Sequence, residues 1–245
     1  YLMKQVGPES VIDLARRMGV ESPMKPVPSI CLGSMDMSVI EMVGAYGTFA
    51  NRGFYAKPMA ILRIEDKNGN VIPHFTTTKA DAMSEQGAYA IVSMLKGVVD
   101  FGTAKRIRST YGLRAEIAGK TGTTNDNSDG WFIGVVPKIC AGAWVGGDEK
   151  SIRFRSTALG SGSNMALPIW AKFMSKVYNN KATAITQNDR FIRPVDMNIE
   201  LDCYKYTGVG GYTSVVGATV DSAGNVIVDT TKQAPKEFDY NNQSE

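Results

Sequence analysis

Apolar residues along the chain fall into two patterns, and each pattern predicts one kind of secondary structure. Spacings of three and four residues predict four helices, over residues 8–18, 38–50, 84–101 and 164–178. Ser38 begins the second helix and is followed three residues later by Glu41, which is the pattern of a capping box. Ser84 is the predicted cap of the longest helix, whose buried side we expect to include Met94 and Leu95. The helices are amphipathic and need a surface that covers their apolar sides.

Short apolar runs, separated by polar or proline-containing breaks, predict strands in the middle of the chain. Three such runs lie at residues 116–123, 130–136 and 139–145. The tight link Pro137-Lys138 predicts that the last two runs pair antiparallel. A hairpin is predicted within residues 61–73, where two short runs flank a turn that contains Asn68-Gly69. Because residues 130–136 are apolar or small on both faces, the predicted sheet needs helices on both faces.

These elements predict an α/β fold in the mixed α+β sense, an antiparallel sheet flanked by helices on both faces. Beyond about residue 190 the pattern weakens, and residues 191–245 are polar with short β-like pieces at 213–220 and 226–228. We predict a small appendage or a partly ordered tail there. The first six residues look like the end of an amphipathic helix, and no initiator methionine precedes them. We therefore expect the chain to be a piece of a longer protein.

Composition and charge exclude several classes of function. The chain has 245 residues, a net charge of +3 and scattered basic residues, so it carries no electrostatic footprint for nucleic acid. No apolar run reaches the length of a membrane span, and we predict no membrane segment in this chain. The single histidine, His74, and the widely spaced Cys31, Cys140 and Cys203 form no metal pattern, so we expect no metal and no cofactor. The odd number of cysteines leaves at least one free thiol, and the sequence does not decide whether the others pair.

The stretch Gly119-Lys120-Thr121-Gly122-Thr123 is the candidate functional site, since it places a lysine and two hydroxyls directly after an apolar run. In a strand, Thr121 and Thr123 project to one side, and Lys120 and Gly122 project to the other. Two hydroxyls spaced in this way suit the recognition of a carboxylate lying along the strand, and a glycine between them allows close approach. The Thr123 amide is a candidate oxyanion donor, and Lys120 supplies positive potential.

Two other interpretations fit parts of this stretch. A phosphate-binding loop requires a glycine at position 114, which is Arg114, and a helix after Gly119-Lys120-Thr121, where a polar stretch follows instead. That interpretation is disfavoured. A strand that ends in an exposed turn, with Lys120 simply solvated, needs no function and stays open on the pattern alone.

At these residues the chain resembles a known family. Lys120-Thr121-Gly122 matches one of three signatures of the penicillin-recognising serine acyl transferases, alongside Ser-x-x-Lys and Ser-x-Asn. A longer set of motifs is similar to the bifunctional (class A) penicillin-binding proteins and lies at residues 49–53, 63–66, 102–104, 118–125, 129–132 and 136–137. The resemblance runs from residue 1 to about residue 178. It implies that residues 1–190 are the C-terminal portion of a transpeptidase domain.

The resemblance also implies a role for each matched residue. Lys120 would hydrogen-bond toward the serine of the Ser-x-Asn motif, and Thr121 and Thr123 would bind the terminal carboxylate of a D-Ala-D-Ala peptide or a β-lactam, with Gly122 between them. The Thr123 amide would form the oxyanion hole with the amide of the nucleophile. Lys120 and Thr123 are therefore the catalytic candidates, and Thr121, Gly122 and Thr123 the substrate-binding ones.

The nucleophile of this family is not identified in the chain. No Ser-x-Asn motif occurs, and of two Ser-x-x-Lys matches one, at Ser22, lies in a proline-rich connector. The other, at Ser93 and Lys96, lies on the polar side of a helix and too close to Lys120 for the spacing of the family. We therefore expect the nucleophile in a missing N-terminal half and expect this chain alone to be inactive.

The resemblance implies a D,D-transpeptidase that cross-links peptidoglycan stem peptides through a serine acyl-enzyme and reacts with β-lactams. Such a protein would lie on the outer, periplasmic side of the bacterial cytoplasmic membrane, anchored by a segment that this chain lacks. Two alternatives stay open from the sequence. One is a β-lactamase or β-lactam sensor of the same superfamily, and the other is a non-catalytic interaction module.

Overall fold

The computed structural model describes residues 2–201, 218–220 and 226–228. The helices are α1 (Leu2–Val6), α2 (Pro8–Arg17), α3 (Val39–Ala50), α4 (Glu85–Asp100), α5 (Arg106–Ser109), α6 (Thr157–Gly160) and α7 (Ala166–Asn179). The strands are β1 (Phe54–Ala56), β2 (Arg63–Glu65), β3 (Val71–His74), β4 (Lys79–Asp81), β5 (Ala118–Thr123), β6 (Asp129–Val136), β7 (Ile139–Gly146), β8 (Ala218–Val220) and β9 (Val226–Val228). The chain divides into two compact units, residues 1–199 and 200–245.

The first unit is built around an antiparallel sheet in the order β5-β6-β7. Its register pairs Thr121 with Phe132 and Phe132 with Ala143. The three predicted strands and the antiparallel pairing across Pro137-Lys138 are confirmed. In the second unit, β8 and β9 pair antiparallel. The predicted boundary between a domain of residues 1–190 and an appendage of residues 191–245 stays a prediction. Cys203 lies outside the described residues.

One face of the sheet packs against α7. A Cβ at Gly134 would lie 2.5 Å from Trp170 Cζ2, so the indole lies directly against the backbone of β6. The Phe132 and Trp170 rings meet edge to face, with centroids 5.2 Å apart. This cluster forms the main hydrophobic core, whose buried members also include Val99, Ile107, Leu113, Ile117, Val136, Leu167, Met174 and Val177.

The opposite face of the sheet packs against α3. A Cβ at Gly142 would lie 2.8 Å from Val43 Cγ2 and 3.4 Å from Val39 Cγ1. Gly142 pairs with Ile133. Because successive residues of a strand point to opposite faces, Ile133 lies on the face opposite to that of Phe132 and α7. Helices thus cover both faces of the sheet, as the sequence predicted.

The predicted caps of α3 and α4 are present. Ser38 and Glu41 form a capping box at α3, and the Ser84 hydroxyl accepts a hydrogen bond from the Gly87 amide at α4. Glu41 also accepts bonds from the Glu21 amide at 2.8 Å, the Ser22 amide at 2.7 Å and the Ser22 hydroxyl at 2.8 Å. The hydrogen bonds from Ser38, followed by those from Ser22, hold the pKa of Glu41 far below its ordinary value of 4.5. One carboxylate therefore fixes the connector before α3 to the start of that helix.

Other expectations were wrong in detail. The buried positions of α4 are Ala88, Val92 and Val99, whereas Met94 is 63% exposed. The apolar pattern of α4 is broad, and the side of the helix that carries Val92 and Val99 is the buried one. Trp144 of β7 is 41% exposed and donates through Nε1 to Asp129. The sequence also did not predict the pair formed by β1 and β4.

We expect Gly134→Ala to destabilise the chain by about 1–3 kcal/mol, because the added methyl group overlaps the Trp170 ring in a packed core. The free energy of unfolding in urea measures this effect. Gly97→Ala is the matched control, since no atom lies within 4 Å of a Cβ at that position apart from the two adjacent residues and the backbone of the helix itself. It should leave stability unchanged or raise it by up to about 1 kcal/mol. Equal effects of the two substitutions would contradict the close packing of β6 against α7.

We expect the stabilisation from Glu41 to be present at neutral pH and to be lost in acid. Its folded pKa lies below the value of 4.5 in the unfolded chain, so the contribution is complete above that value and declines as pH falls through the folded pKa. The difference in unfolding free energy between the native chain and Glu41→Gln should be constant above about pH 5 and shrink below it. Ser22→Ala removes only part of the network and should show a smaller change of the same sign. Parallel pH profiles for the native chain and Glu41→Gln would rule this out.

Candidate functional site

The predicted site residues lie on β5, at the edge of the sheet. Among the described residues, β5 pairs with β6 only, so its other edge is free of strand partners. Lys120 and Thr123 are exposed, and Thr121 and Gly122 are partly exposed. The structure therefore places all four on one open strand edge.

Backbone hydrogen bonds show which groups of β5 point toward that edge. The Thr124 amide donates to the Asp129 carbonyl at 3.3 Å, and adjacent residues of an antiparallel strand point their polar groups in opposite directions. The amide of Thr123 therefore points away from β6. The Thr121 carbonyl also points away from β6, because residues two apart on a strand point their backbone groups in the same direction. It accepts a hydrogen bond from Lys120 Nζ at 2.8 Å. The open edge thus presents an N–H group beside a lysine.

The Thr121 hydroxyl has a hydroxyl partner from a distant segment. Thr103 Oγ1, in the turn between α4 and α5, lies 2.7 Å from Thr121 Oγ1, and either oxygen can be the donor. Thr103 is exposed. Thr103 lies in residues 102–104, one of the segments that resemble the family, and no role was expected for it.

The Thr123 hydroxyl also has a partner, the backbone of the loop before α7. The Gly162 amide donates to Thr123 Oγ1 at 3.0 Å. A Cβ at position 162 would overlap the Gly122 carbonyl oxygen and lie 3.1 Å from the Trp131 amide nitrogen, so this approach requires glycine. The hydroxyl accepts one bond here and keeps its own proton for another acceptor.

The loop that carries Gly162 is held from two sides. Arg106 of α5 donates to the Asn164 side chain and, at 3.4 Å, to the Ser163 carbonyl. The Gly162 carbonyl accepts from the amides of Ala166 at 3.1 Å and Leu167 at 2.9 Å. These bonds begin α7, whose N-cap residue makes no side-chain cap bond. The backbone of Gly162 therefore both begins α7 and contacts β5.

The loop after β5 contains two residues in the left-handed region, Asp126 at φ 64° and Asn127 at φ 58°. Such backbone is unfavourable for residues other than glycine and is common at functional sites. The Asn127 carbonyl accepts from the Phe154 amide at 3.1 Å, and Arg153 pairs with Asp126 at 3.2 Å. The segment before α6 thus holds this loop beside the end of β5.

The two Ser-x-x-Lys matches do not form a nucleophile and base. Ser93 Oγ donates to the Tyr89 carbonyl of its own helix at 2.9 Å, and Lys96 pairs with Glu116 at 2.8 Å. Ser22 donates to Glu41. Each serine is engaged elsewhere, so neither match has the arrangement needed to activate a serine.

Residues 2–201, with the two short strands beyond them, contain no group of histidine, cysteine and acidic side chains that could hold a metal. Within this same described part, no helix is long and apolar enough to cross a membrane. His74 ends β3, and Cys31 and Cys140 are free thiols. Burial raises the pKa of the Cys140 thiol to about 12, which keeps it protonated and unreactive at neutral pH.

The strand of the site was therefore predictable from the sequence, whereas its supports, Thr103 and Gly162, were not. Both lie in glycine-containing turns, Gly102-Thr103-Ala104 and Ser161-Gly162-Ser163. A polar residue beside a glycine at the end of a helix is common in any turn. No spacing along the chain indicates that these two turns meet at β5.

Known proteins resemble the chain in sequence. Residues 25–146 match the family profile of the penicillin binding protein transpeptidase domain. Penicillin-binding protein 1A of Aquifex aeolicus is 37% identical over 176 residues, which cover 72% of this chain and 23% of that protein. Penicillin-binding protein 1A of Rickettsia bellii is 36% identical over 203 residues and covers 72% and 24%. The chain thus spans about a quarter of the length of these relatives.

Solved structures share its fold. Penicillin-binding protein 1A from Haemophilus influenzae superposes with a TM-score of 0.68 at 21% identity, over 78% of this chain and 33% of that one. The PonA1 protein from Mycobacterium tuberculosis in complex with penicillin V has a TM-score of 0.62 at 23% identity, over 77% and 53%. These likenesses establish the α+β fold, with an antiparallel sheet between helices. Through residues 25–146, the chain belongs to the penicillin binding protein transpeptidase domain family.

Proposed function

We propose that this chain supplies the carboxylate-binding and oxyanion wall of a D,D-transpeptidase. The observation that supports this most is the open edge of β5, where two threonine hydroxyls and the outward-pointing amides of Thr121 and Thr123 lie within three residues. The parent protein would cross-link peptidoglycan stem peptides through a serine acyl-enzyme. β-Lactams would acylate the same serine.

The hydroxyl groups of Thr121 and Thr123 can each present a proton to a bound carboxylate. Thr123 accepts from the Gly162 amide, so its own proton is free to donate to an anionic ligand. Thr121 and Thr103 share one hydrogen bond and retain one free proton between them. The wall therefore offers two hydroxyl donors, which matches the two oxygens of a terminal carboxylate. Lys120 adds a positive charge on the same edge.

The Thr123 amide would stabilise the developing oxyanion. It points away from β6, toward the edge where the ligand would lie. Because a backbone donor is held in place by the strand, it needs no reorganisation during the reaction. The amide of the nucleophilic serine would be the second donor. Lys120 would hydrogen-bond toward the serine of a Ser-x-Asn motif.

The reaction would have two steps. The serine oxygen attacks the carbonyl carbon of the penultimate D-alanine, the peptide bond breaks, and the serine proton passes through a base to the leaving amine of the terminal D-alanine. An amine of a second stem peptide then attacks the ester and releases the serine. With a β-lactam, the ring amide bond breaks instead and the product stays attached.

We propose that the nucleophile, its lysine and the Ser-x-Asn motif come from a missing N-terminal half of the same protein, outside residues 1–245. The relatives at 37% and 36% identity are about four times longer than the matched segment, which supports this. Residues 1–245 alone would be inactive. The parent would lie on the periplasmic side of the cytoplasmic membrane, anchored by a segment outside residues 1–245.

We expect no covalent adduct when the 245-residue chain is incubated with excess benzylpenicillin, because neither Ser93 nor Ser22 has an activating base. Intact-mass spectrometry measures the result. A version of the protein extended upstream should gain the mass of one penicillin. An adduct on the shorter chain would contradict the proposed division of the site. An unlabelled extended protein would overturn the enzyme assignment in favour of an interaction module.

We expect Thr123→Ala to slow acylation of the extended protein by roughly tenfold to a hundredfold, since a hydrogen bond to a charged group contributes about 1.5–3 kcal/mol. Stopped-flow labelling with a fluorescent penicillin measures the second-order rate constant. Thr123→Ser keeps the hydroxyl and should retain most of the rate. If Thr123→Ala and Thr123→Ser behaved alike, the loss would come from the methyl group and not from carboxylate binding.

A further inference from the structure

We infer that Thr103 is a positioning residue for the carboxylate site, which acts by donating a hydrogen bond to Thr121 and so turning the Thr121 proton toward the ligand. The inference rests on the proposed function, because it concerns the same site. Its physical basis is the 2.7 Å distance between the two hydroxyl oxygens.

The backbone around Thr103 is fixed. The Gly102 amide bonds to the Gly97 and Val98 carbonyls at the end of α4, and the Ala104 amide bonds to the Val98 carbonyl at 3.1 Å. Ala104 is fully buried, and a Cβ at Gly102 would lie 2.9 Å from the Val98 carbonyl oxygen. The exposed Thr103 side chain therefore projects from a rigid turn toward β5.

The direction of the hydrogen bond follows from what each hydroxyl can do. Each carries one proton and two acceptor sites. If Thr121 donated to Thr103, the strand hydroxyl would offer a ligand only lone pairs, which repel a carboxylate. If Thr103 donates to Thr121, the Thr121 proton is free, and donation and acceptance at one oxygen strengthen each other. A bound carboxylate thus selects the second arrangement.

The neighbouring threonine provides independent support for this arrangement. Thr123 Oγ1 accepts a hydrogen bond from the Gly162 amide. A backbone N–H group can only donate, so the direction of this hydrogen bond is fixed. Each threonine of β5 thus has one hydrogen-bonding group behind it, supplied by a different loop. Arg106, three residues after Thr103, bonds to Ser163 and Asn164 beside Gly162, so the two loops are joined. The site is built for a ligand with two acceptor oxygens and a negative charge.

The test compares acylation rates in the extended protein for Thr103→Val, Thr103→Ser, Thr121→Val and the double variant Thr103→Val with Thr121→Val. Benzylpenicillin is one probe, and its methyl ester, in which the carboxylate is masked, is the other. Thr77→Val, at an exposed position outside the site, is the matched control. Thermal melting of each variant checks that it folds.

We expect Thr103→Val to slow acylation by benzylpenicillin by roughly 3- to 10-fold, as for the loss of one hydrogen bond between neutral groups. Thr103→Ser should restore the rate. The loss should disappear in the Thr121→Val background, because the hydroxyl of Thr103 acts through that of Thr121. The loss of rate should also disappear with the methyl ester of benzylpenicillin, because uncharged ester oxygens are weak hydrogen-bond acceptors.

Three results would overturn the inference. A Thr103→Val rate equal to that of the native protein would show that the contact has no effect on the site. An equal loss in the Thr121→Val background, or with the ester, would show a general structural effect. No acylation of the unsubstituted extended protein would overturn the proposed function and this inference with it, and that outcome differs visibly from the first two.

Discussion

The register between β5 and β6 is the constraint on which both the core and the candidate site depend. Because side chains alternate across a strand, a slip of one residue would exchange the two faces of β5. Thr121 and Thr123 would then leave the turns that contact their hydroxyls. The close contact of Gly119 with Phe132 fixes this register, since a Cβ at position 119 would lie 2.8 Å from Phe132 Cζ and a slip of one residue would place Ala118 or Lys120 there. Packing beneath the sheet thus determines which polar groups reach its open edge.

Much of this fold could be predicted from the sequence, because its signals are local. The capping box at Ser38 and Glu41 needs only four consecutive residues, and the strands of the central sheet are short apolar runs with clear breaks. The orientation of α4 could not be predicted as well. Its apolar positions cover most of the helix, and only the packing of α4 against β5 and α3 decides that Val92 and Val99 are buried while Met94 is exposed.

The candidate site also has a part that could be predicted from the sequence and a part that could not. Lys120, Thr121, Gly122 and Thr123 are consecutive and could be recognised together. Their supports lie 18 and 39 residues away in the sequence and meet β5 only through folding. The family profile matches residues 25–146 and so includes Thr103 but ends before Gly162. Long-range contacts of this kind leave no period in the sequence and become visible only in the folded structure.

The free edge of β5 also has a consequence for the behaviour of the protein in concentrated solution. An unpaired strand edge is a template on which a second molecule can add a strand, and proteins commonly prevent this with a charged side chain at the edge. Lys120 lies at such a position, exposed on the open strand. Its charge therefore opposes self-association, so a protein that has lost this lysine would be prone to edge-to-edge aggregation even while each molecule remained folded.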